Sequence, residues 1–263
     1  MINFKDKYAL VTGASSGIGA AIAKQLSKEG CNLFLTGLHP ERLEEIKRYC
    51  ETQGVKVFAK ESDFSDNSSI DGFVEFVKSH KINIDLFVLN AGISQRAKAF
   101  DTDFETDKKI MQINYWSSVY LIKKFKDEII NSEHTSISVT TSLAGLFGFP
   151  LRTSYCSSKH ALFGFFEAMD LEYDNVSVTF LIPGRINTNI SKSALLGNGE
   201  RYGKMDQGQA KGLDVDRAAK IAVKAIKKKK HRKLIGRYEL LMAYINRYLP
   251  CLYYILSKHI SPT

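Results

Sequence analysis

The chain has 263 residues, 44% of them hydrophobic, and a formal charge of +9. That length and composition suit one α/β domain with a sizeable core and argue against a disordered polar chain. Cys31, Cys50, Cys156 and Cys251 are scattered with no paired spacing, which argues against a zinc site or a disulfide framework and fits a reducing compartment.

The first strand signal is Tyr8-Ala9-Leu10-Val11, a short apolar run. Thr12-Gly13-Ala14-Ser15-Ser16-Gly17-Ile18-Gly19 follows at once, then Ala20, Ala21, Ile22, Ala23 and Leu26 at helical spacing. Strand, glycine turn and helix in that order are the setting of a dinucleotide-phosphate site. Gly13 permits the tight turn, Gly17 a close backbone approach and Gly19 the packing of helix on sheet, with the helix N-terminus facing a pyrophosphate. The spacing is G-x3-G-x-G rather than the commoner G-x-G-x-x-G. A glycine triplet without this setting would signal a bare turn as readily as a cofactor site.

Apolar strand candidates recur at 9–11, 32–36, 55–59, 84–89, 137–141, 176–182 and 233–235, with helical patterns at 41–52, 70–78, 109–131 and 153–174. Such alternation implies a Rossmann-type doubly wound α/β fold, about seven parallel strands with helices on both faces. Its ligands bind outside the carboxyl ends of the strands. Asn90, Ser142 and Pro183 all stand just past strand ends.

Ser142 closes the run Ser138-Val139-Thr140-Thr141-Ser142, thirteen residues before Tyr155. Tyr155 and Lys159 are four apart in Tyr155-Cys156-Ser157-Ser158-Lys159, so they share one face of a helix. An ammonium beside a phenol favours the phenolate and lowers a pKa otherwise near ~10. Tyr-x-x-x-Lys by itself reads as a solvated helix face.

These motifs, with Asn90-Ala91-Gly92, Asn114 in Met111-Gln112-Ile113-Asn114, Pro183-Gly184 and Thr188, resemble the short-chain dehydrogenase/reductase family from about Lys5 to about Gly236. Within it, Gly92-Ile93-Ser94-Gln95-Arg96, Tyr155-Cys156-Ser157-Ser158-Lys159-His160-Ala161 and Tyr202-Gly203-Lys204-Met205 are similar to the branch of dehydrogenase/reductase member 7 and the 11-beta-hydroxysteroid dehydrogenases. The resemblance implies hydride transfer between a nicotinamide cofactor and a carbonyl or alcohol, without a metal. It assigns proton exchange to Tyr155, orientation of the substrate oxygen to Ser142, pKa lowering and ribose binding to Lys159, and support of a proton-supplying water chain to Asn114. It places cofactor contacts at Gly13, Ser15, Ser16, Gly17, Ile18 and Gly19, at Leu38 and His39, and at Asp63 and Phe64. Further contacts are implied at Asn90, Ala91 and Gly92, at Tyr155 and Lys159, and at Pro183, Gly184, Ile186 and Thr188.

The choice of nicotinamide is ambiguous. NAD-preferring members usually carry an acid at the position of Gly37, and phosphate-preferring members a basic residue at Leu38 or Ser16; this chain has none of these. Without the acid nothing repels a 2′-phosphate, and His39 and Arg42 offer positive charge. The pattern leans to NADP, with NAD left open.

Residues 216–263 hold twelve Lys and Arg against two acids, so the net charge belongs to the tail. Its densest run is Lys227-Lys228-Lys229-Lys230-His231-Arg232-Lys233. Leu240, Leu241, Tyr244, Ile245, Tyr248 and Leu249 then recur at helical spacing, and Leu252, Tyr253, Tyr254, Ile255 and Leu256 follow Pro250. The stretch is short of the ~20 residues of a spanning helix. Two readings stand side by side: a helix lying on an anionic membrane surface, or one packed on the core or a second subunit. No nucleic-acid motif accompanies the basic run, and no signal peptide or anchor is read at the N-terminus.

The expected organisation is a single dinucleotide-binding and catalytic domain over 1–236 with an amphipathic extension over 237–263. The expected protein is cytoplasmic, peripheral on a membrane if the tail binds lipid, and a homodimer or homotetramer by resemblance. Its expected substrate is a hydrophobic carbonyl or alcohol. The alternatives are a 3-oxoacyl thioester reductase and a non-catalytic redox sensor or scaffold; the intact Asn114, Ser142, Tyr155 and Lys159 speak against the latter.

Overall fold

The structure, a computed structural model, describes residues 1–258. Residues 259–263, the end of the expected extension, lie outside the described residues. Seven strands pair in parallel in one sheet: β1 (Tyr8–Thr12), β2 (Asn32–Thr36), β3 (Val57–Ala59), β4 (Leu86–Leu89), β5 (Thr135–Thr140), β6 (Val176–Pro183) and β7 (Arg232–Ile235). Their order is β3-β2-β1-β4-β5-β6-β7.

Side chains alternate between two cores, one on each face. Ala9, Val11, Leu33, Leu35, Leu86 and Val88 enter the first, and Leu10, Phe34, Phe87, Leu89 and Phe180 enter the second. Both faces are covered, so the strands read as continuous apolar runs rather than as alternation. Helices α1 (Gly17–Lys28), α2 (Pro40–Glu51) and α9 (Val215–Lys227) close the first core. Helices α3 (Asn67–Ser79), α5 (Ser117–Lys124) and α7 (Thr153–Glu172) close the second.

The helix expected over 109–131 is four pieces. They are α4 (Phe104–Met111), a π-helical turn (Gln112–Trp116), α5, and α6 (Lys126–Ile130), which Phe125 divides from α5. The wide turn is centred on Asn114, whose amide is committed to the backbone of another loop. The helical stretch begins at Phe104, five residues before the expected start.

After α8 (Gln207–Ala210), α9 and β7, the chain ends in α10 (Leu241–Tyr248) and α11 (Pro250–Ser257). Leu240, Met242, Ala243 and Ile245 pack on the second core, so the inner face of this extension is protein-bound. No helix of the described residues is long and apolar enough to cross a membrane. The basic run is not simply solvated: Lys227 pairs with Glu29, and His231 and Arg232 pair with Glu167.

Strand order reverses between β1 and β4, which opens a crevice at their carboxyl ends. There Gly19 has no room for a side chain. A β-carbon would lie 2.5 Å from Asn90 Nδ2 and closer still to the Gly13 carbonyl oxygen. Gly17 differs: its φ is +56°, but a β-carbon would meet only Thr188, at 3.5 Å. Gly17→Ala should therefore cost only the conformational strain, roughly 1–2 kcal/mol, and Gly19→Ala roughly 3 kcal/mol or more. Urea unfolding of both variants checks this, and equal losses would contradict it.

Candidate active site

The ends of β1 and β4 are stitched by one hydroxyl. Thr12 Oγ1 accepts from the backbone N–H of Asn90 (2.9 Å) and of Ala91 (3.0 Å), and Asn90 Nδ2 donates to the Thr12 carbonyl (3.2 Å). Gly13, at φ +66°, turns the chain against Ala91. Ser15 is buried and Ser16 exposed. Ser16 is the N-cap of α1 but makes no side-chain bond to it, and no acid stands in the first turn. The N–H groups of Gly17, Ile18 and Gly19 thus open toward the crevice without a capping side chain.

Of the other residues expected around a cofactor, Thr188 stands 3.5 Å from where a Gly17 β-carbon would lie. Leu38 is exposed, and His39 is the N-cap of α2. Asp63 spends one carboxylate oxygen on Ser65, accepting from its N–H and its hydroxyl at 2.8 Å each. Phe64 and Ile186 turn their side chains into the second and first cores, so each can offer a ligand only its backbone. Pro183 is buried at the end of β6, and Gly184 is packed against Glu239.

Tyr155 and Lys159 lie one turn apart at the start of α7, both buried. Lys159 Nζ donates to the Thr140 carbonyl at 2.9 Å, and burial pushes its pKa down to about 8. Ser142 caps a short 3-10 turn, Leu143–Gly145, accepting from Ala144 N–H at 3.2 Å. Gly145 lets that turn settle on α7, since a β-carbon there would lie 2.8 Å from the Lys159 carbonyl oxygen. Asn114 Oδ1 accepts from Ile93 N–H (2.8 Å), and its Nδ2 donates to the Ile93 carbonyl (3.0 Å) and to Ser158 Oγ (2.9 Å). Ser158 passes the link on to the Tyr155 carbonyl at 2.8 Å. At Gly92 a β-carbon would lie 3.3 Å from Lys159 Nζ. The four residues singled out as a catalytic set are thus brought together at the ends of β4 and β5.

One expectation is corrected. The Tyr155 phenol is raised, not lowered, from its ordinary value, because burial is the largest influence; a hydrogen bond with Ser142 and the charges of Arg152 and Arg96 pull the other way. Lys159 gives one of its three N–H donors to the Thr140 carbonyl, and its own charge is disfavoured by the same burial.

The short chain dehydrogenase family model matches residues 7–198. The dehydrogenase/reductase SDR family protein 7-like of Drosophila melanogaster is 32% identical over 260 residues, 96% of this chain and 80% of the fly protein. The chain belongs to the short-chain dehydrogenase/reductase family. It is an NAD(P)-dependent oxidoreductase. An alcohol dehydrogenase from the archaeon Thermococcus sibiricus, complexed with 5-hydroxy-NADP, aligns with a TM-score of 0.75 at 28% identity, covering 88% of this chain and 97% of that one. A family member from Burkholderia phymatum in complex with NAD aligns with a TM-score of 0.84 over 100% of this chain and 98% of its own; at 19% identity it shows the fold alone.

Sequence reasoning missed the residues that hold this family site in place. Gln95 Oε1 accepts from the N–H of Ser154 (2.9 Å) and Tyr155 (3.4 Å), capping α7 from a different loop. Asp206 accepts from Arg96 Nε at 3.1 Å and from Arg152 Nη2 at 3.3 Å. Burial and the neighbouring Arg96 bring Arg152 down to about 10. Gln95 and Arg96 stood in a motif that signalled resemblance but not role. Nothing local marks Asp206 as their partner.

The depressed Lys159 gives a signed prediction. Between about 8, its folded value, and 10.5, its ordinary one, the unfolded chain holds a proton that the folded chain lacks. Its contribution to stability therefore rises with pH across that window and is at its least favourable below it. Lys159→Met should be the more stable protein near neutral pH, by up to about 3 kcal/mol, with the gap closing as pH approaches 10.5. Melting curves of cofactor-free wild type and variant measure it; parallel pH profiles would refute the assignment.

Proposed function

We propose that the protein interconverts a hydrophobic carbonyl and its alcohol, with NADP preferred and Tyr155 exchanging the proton. One arrangement carries this reading. Tyr155 and Lys159 are buried one turn apart, with the Ser142 hydroxyl drawing the phenol's pKa down against burial, at the same sheet end as the Gly13–Gly19 turn.

The chain fits a nicotinamide dinucleotide. Gly13, Ser15, Ser16, Gly17, Ile18 and Gly19 offer an uncapped helix start, free of acid, to a pyrophosphate. Asn90, Ala91 and Gly92, with Pro183, Gly184, Ile186 and Thr188, would flank the nicotinamide half, and Lys159 with Tyr155 its ribose. Asp63 and Phe64 would meet the adenine end, with Leu38 and His39 beside its ribose. When bound, the nicotinamide supplies or accepts hydride. Tyr155 gives its proton to the carbonyl oxygen in reduction and takes it back in oxidation. Ser142 holds that oxygen, and Asn114 fixes the Tyr155 turn through Ser158 and supports proton resupply.

The NADP preference is supported at Gly37. A β-carbon there would lie 2.7 Å from Ser15 Oγ and 3.0 Å from Ser15 N, so an acid would push on the glycine turn itself. Packing thus keeps away the group that would oppose a 2′-phosphate. Exposed Arg42 stands in the first turn of α2. For the substrate, Phe149 packs on Ala144, Tyr155 and Cys156, which supports an apolar approach to the phenol. Exposed Phe104 and Trp116 support a homodimer or homotetramer. We read residues 1–236 as the catalytic domain of a cytoplasmic protein whose extension, from 237, meets an anionic membrane surface.

Tyr155→Phe should cut turnover ~10²–10⁴-fold while NADPH titration shows nearly unchanged affinity; most activity surviving would end the mechanism. Calorimetric titration should also give NADPH the tighter binding. Arg42→Glu should weaken NADPH about tenfold while sparing NADH. Tighter NADH binding by the wild type would reverse the cofactor assignment.

A further inference from the structure

The end of α9 and the outer side of β7 enclose a groove that the reacting groups do not use. Its volume is about 340 Å³, and Ile221, Lys224, Ala225, Lys228, Lys230 and Lys233 line it. Ala225 is buried and Ile221 half-buried, so the floor is apolar, while Lys224, Lys228 and Lys230 stand exposed around it. A tight turn gathers these lysines. Lys229 N–H donates to the Ile226 carbonyl (2.8 Å) and Lys230 N–H to the Ala225 carbonyl (3.0 Å), the paired bonds of a helix end that usually has glycine at its left-handed residue. Here that residue is Lys229, at φ +49°. The turn brings Lys230 back over Ala225.

Cations beside the groove are paired, and those within it are not. Lys227 meets Glu29, and His231 and Arg232 meet Glu167. Among the described residues none of the four groove lysines meets an acid. Lys224 and Lys228, four apart on one helix face, oppose each other directly. Like charges around an apolar floor repel, and an anion lying between them removes the repulsion.

The strand edge selects the kind of anion. β7 ends the sheet on this side. Phe180 N–H donates to the His231 carbonyl and Gly184 N–H to the Ile235 carbonyl, at 2.8 Å each. The alternation of a parallel ladder therefore turns the N–H and C=O groups of Arg232 and Leu234 outward. A strand added there would meet these groups, and every second side chain would stand over the groove. Lysines on an edge keep a second copy of it away, since a twofold contact would set the four against themselves. The same charge admits an acidic strand.

We propose that the outer edge of β7 and the lysine groove beside it dock an extended acidic segment of another protein, which adds a strand to the sheet and sets the carboxylates of alternate residues among Lys224, Lys228, Lys230 and Lys233. The groove lies toward the amino end of β7, away from Tyr155. Docking therefore tethers the enzyme without entering its chemistry, and the inference is independent of the carbonyl reading given above.

A dye-labelled peptide of alternating Glu and Val is the probe, read by fluorescence anisotropy. It should bind the full chain at low salt and weaken steeply as salt rises. Lys224→Glu with Lys230→Glu should weaken it roughly tenfold or more, and Lys224→Gln with Lys230→Gln by less. Lys229→Glu, in the same basic run but outside the groove lining, should cost far less than either pair. NADPH affinity and Tm should stay as in wild type throughout, since these side chains are exposed. A peptide N-methylated at the residues that face Arg232 and Leu234 should bind severalfold more weakly at unchanged charge. A wild type that does not bind the peptide overturns the proposal. So does a loss in Lys229→Glu equal to that of the charge-reversed pair, which would make the run a diffuse basic surface. Full binding of the N-methylated peptide overturns it as well, because a bare anion site needs no strand edge. A wild-type dimer split by the charge reversals would give the edge to a second copy and overturn it too.

Discussion

A buried ammonium is the constraint around which this site is built. Lys159 sits in a setting that disfavours its charge, with the Thr140 carbonyl as its acceptor. Making room for it dictates residues on other segments. Gly92 leaves little room where Nζ passes, since a β-carbon there would lie 3.3 Å from it, and Gly145 must lack a side chain where the Ser142 turn settles on the Lys159 backbone. Asn114 and Ser158 then fix the turn of α7 that carries Tyr155. Perturbed groups held at such cost gather where chemistry is done. Here the cost is spread over loops after β4 and β5 and one face of α7.

Much of this was legible in the chain, for identifiable reasons. The strands were readable because both sheet faces are covered, so each is a compact apolar run with a turn after it. The glycine turn was readable because a helix start that approaches another backbone so closely tolerates only glycine. Tyr155 and Lys159 were readable because four residues span one helical turn. What escaped depends on pairing at a distance or on departures from regular period. The π turn at Asn114 adds residues to a helical turn, which a period-3.6 pattern reads straight through. Gln95 caps a helix more than fifty residues downstream, and Asp206 meets arginines from two earlier loops. The phenol's raised pKa was hidden because its sign depends on burial, and spacing alone does not report burial.

The charge of the tail shows how topology regroups a composition. Read as sequence, it is one basic block followed by apolar residues. In the fold, β7 separates them: its four residues span about 13 Å, carrying the chain from the amino end of the sheet to the site end. Lys227 is drawn back to Glu29 and Arg232 to Glu167, which leaves Lys228, Lys229 and Lys230 as the exposed lysines of the run. Exposed pairs of this kind add little stability, but they orient the block away from the helices. Any surface that the helices meet is met with their own cations.

Asp206, Glu239 and Tyr253 do related work on the late half of the chain. Each joins a segment that follows β6 to a loop or helix start belonging to the site: Asp206 to Arg96 and Arg152, Glu239 to Arg185, Tyr253 to Gly148. Two of the three are carboxylates held by buried or backbone donors, where removing one partner leaves a desolvated charge or orphaned N–H groups. The early half supplies the cradle and the reacting groups, and its geometry follows from the sheet. The late half has no sheet register to place it, apart from the short β7. Specific polar contacts share that role with the apolar face of α9: they tie the loops and short helices among residues 184–258 near the end of the sheet where Tyr155 stands, while Ala218, Ala222, Val223 and Ile226 fix α9 on the first core.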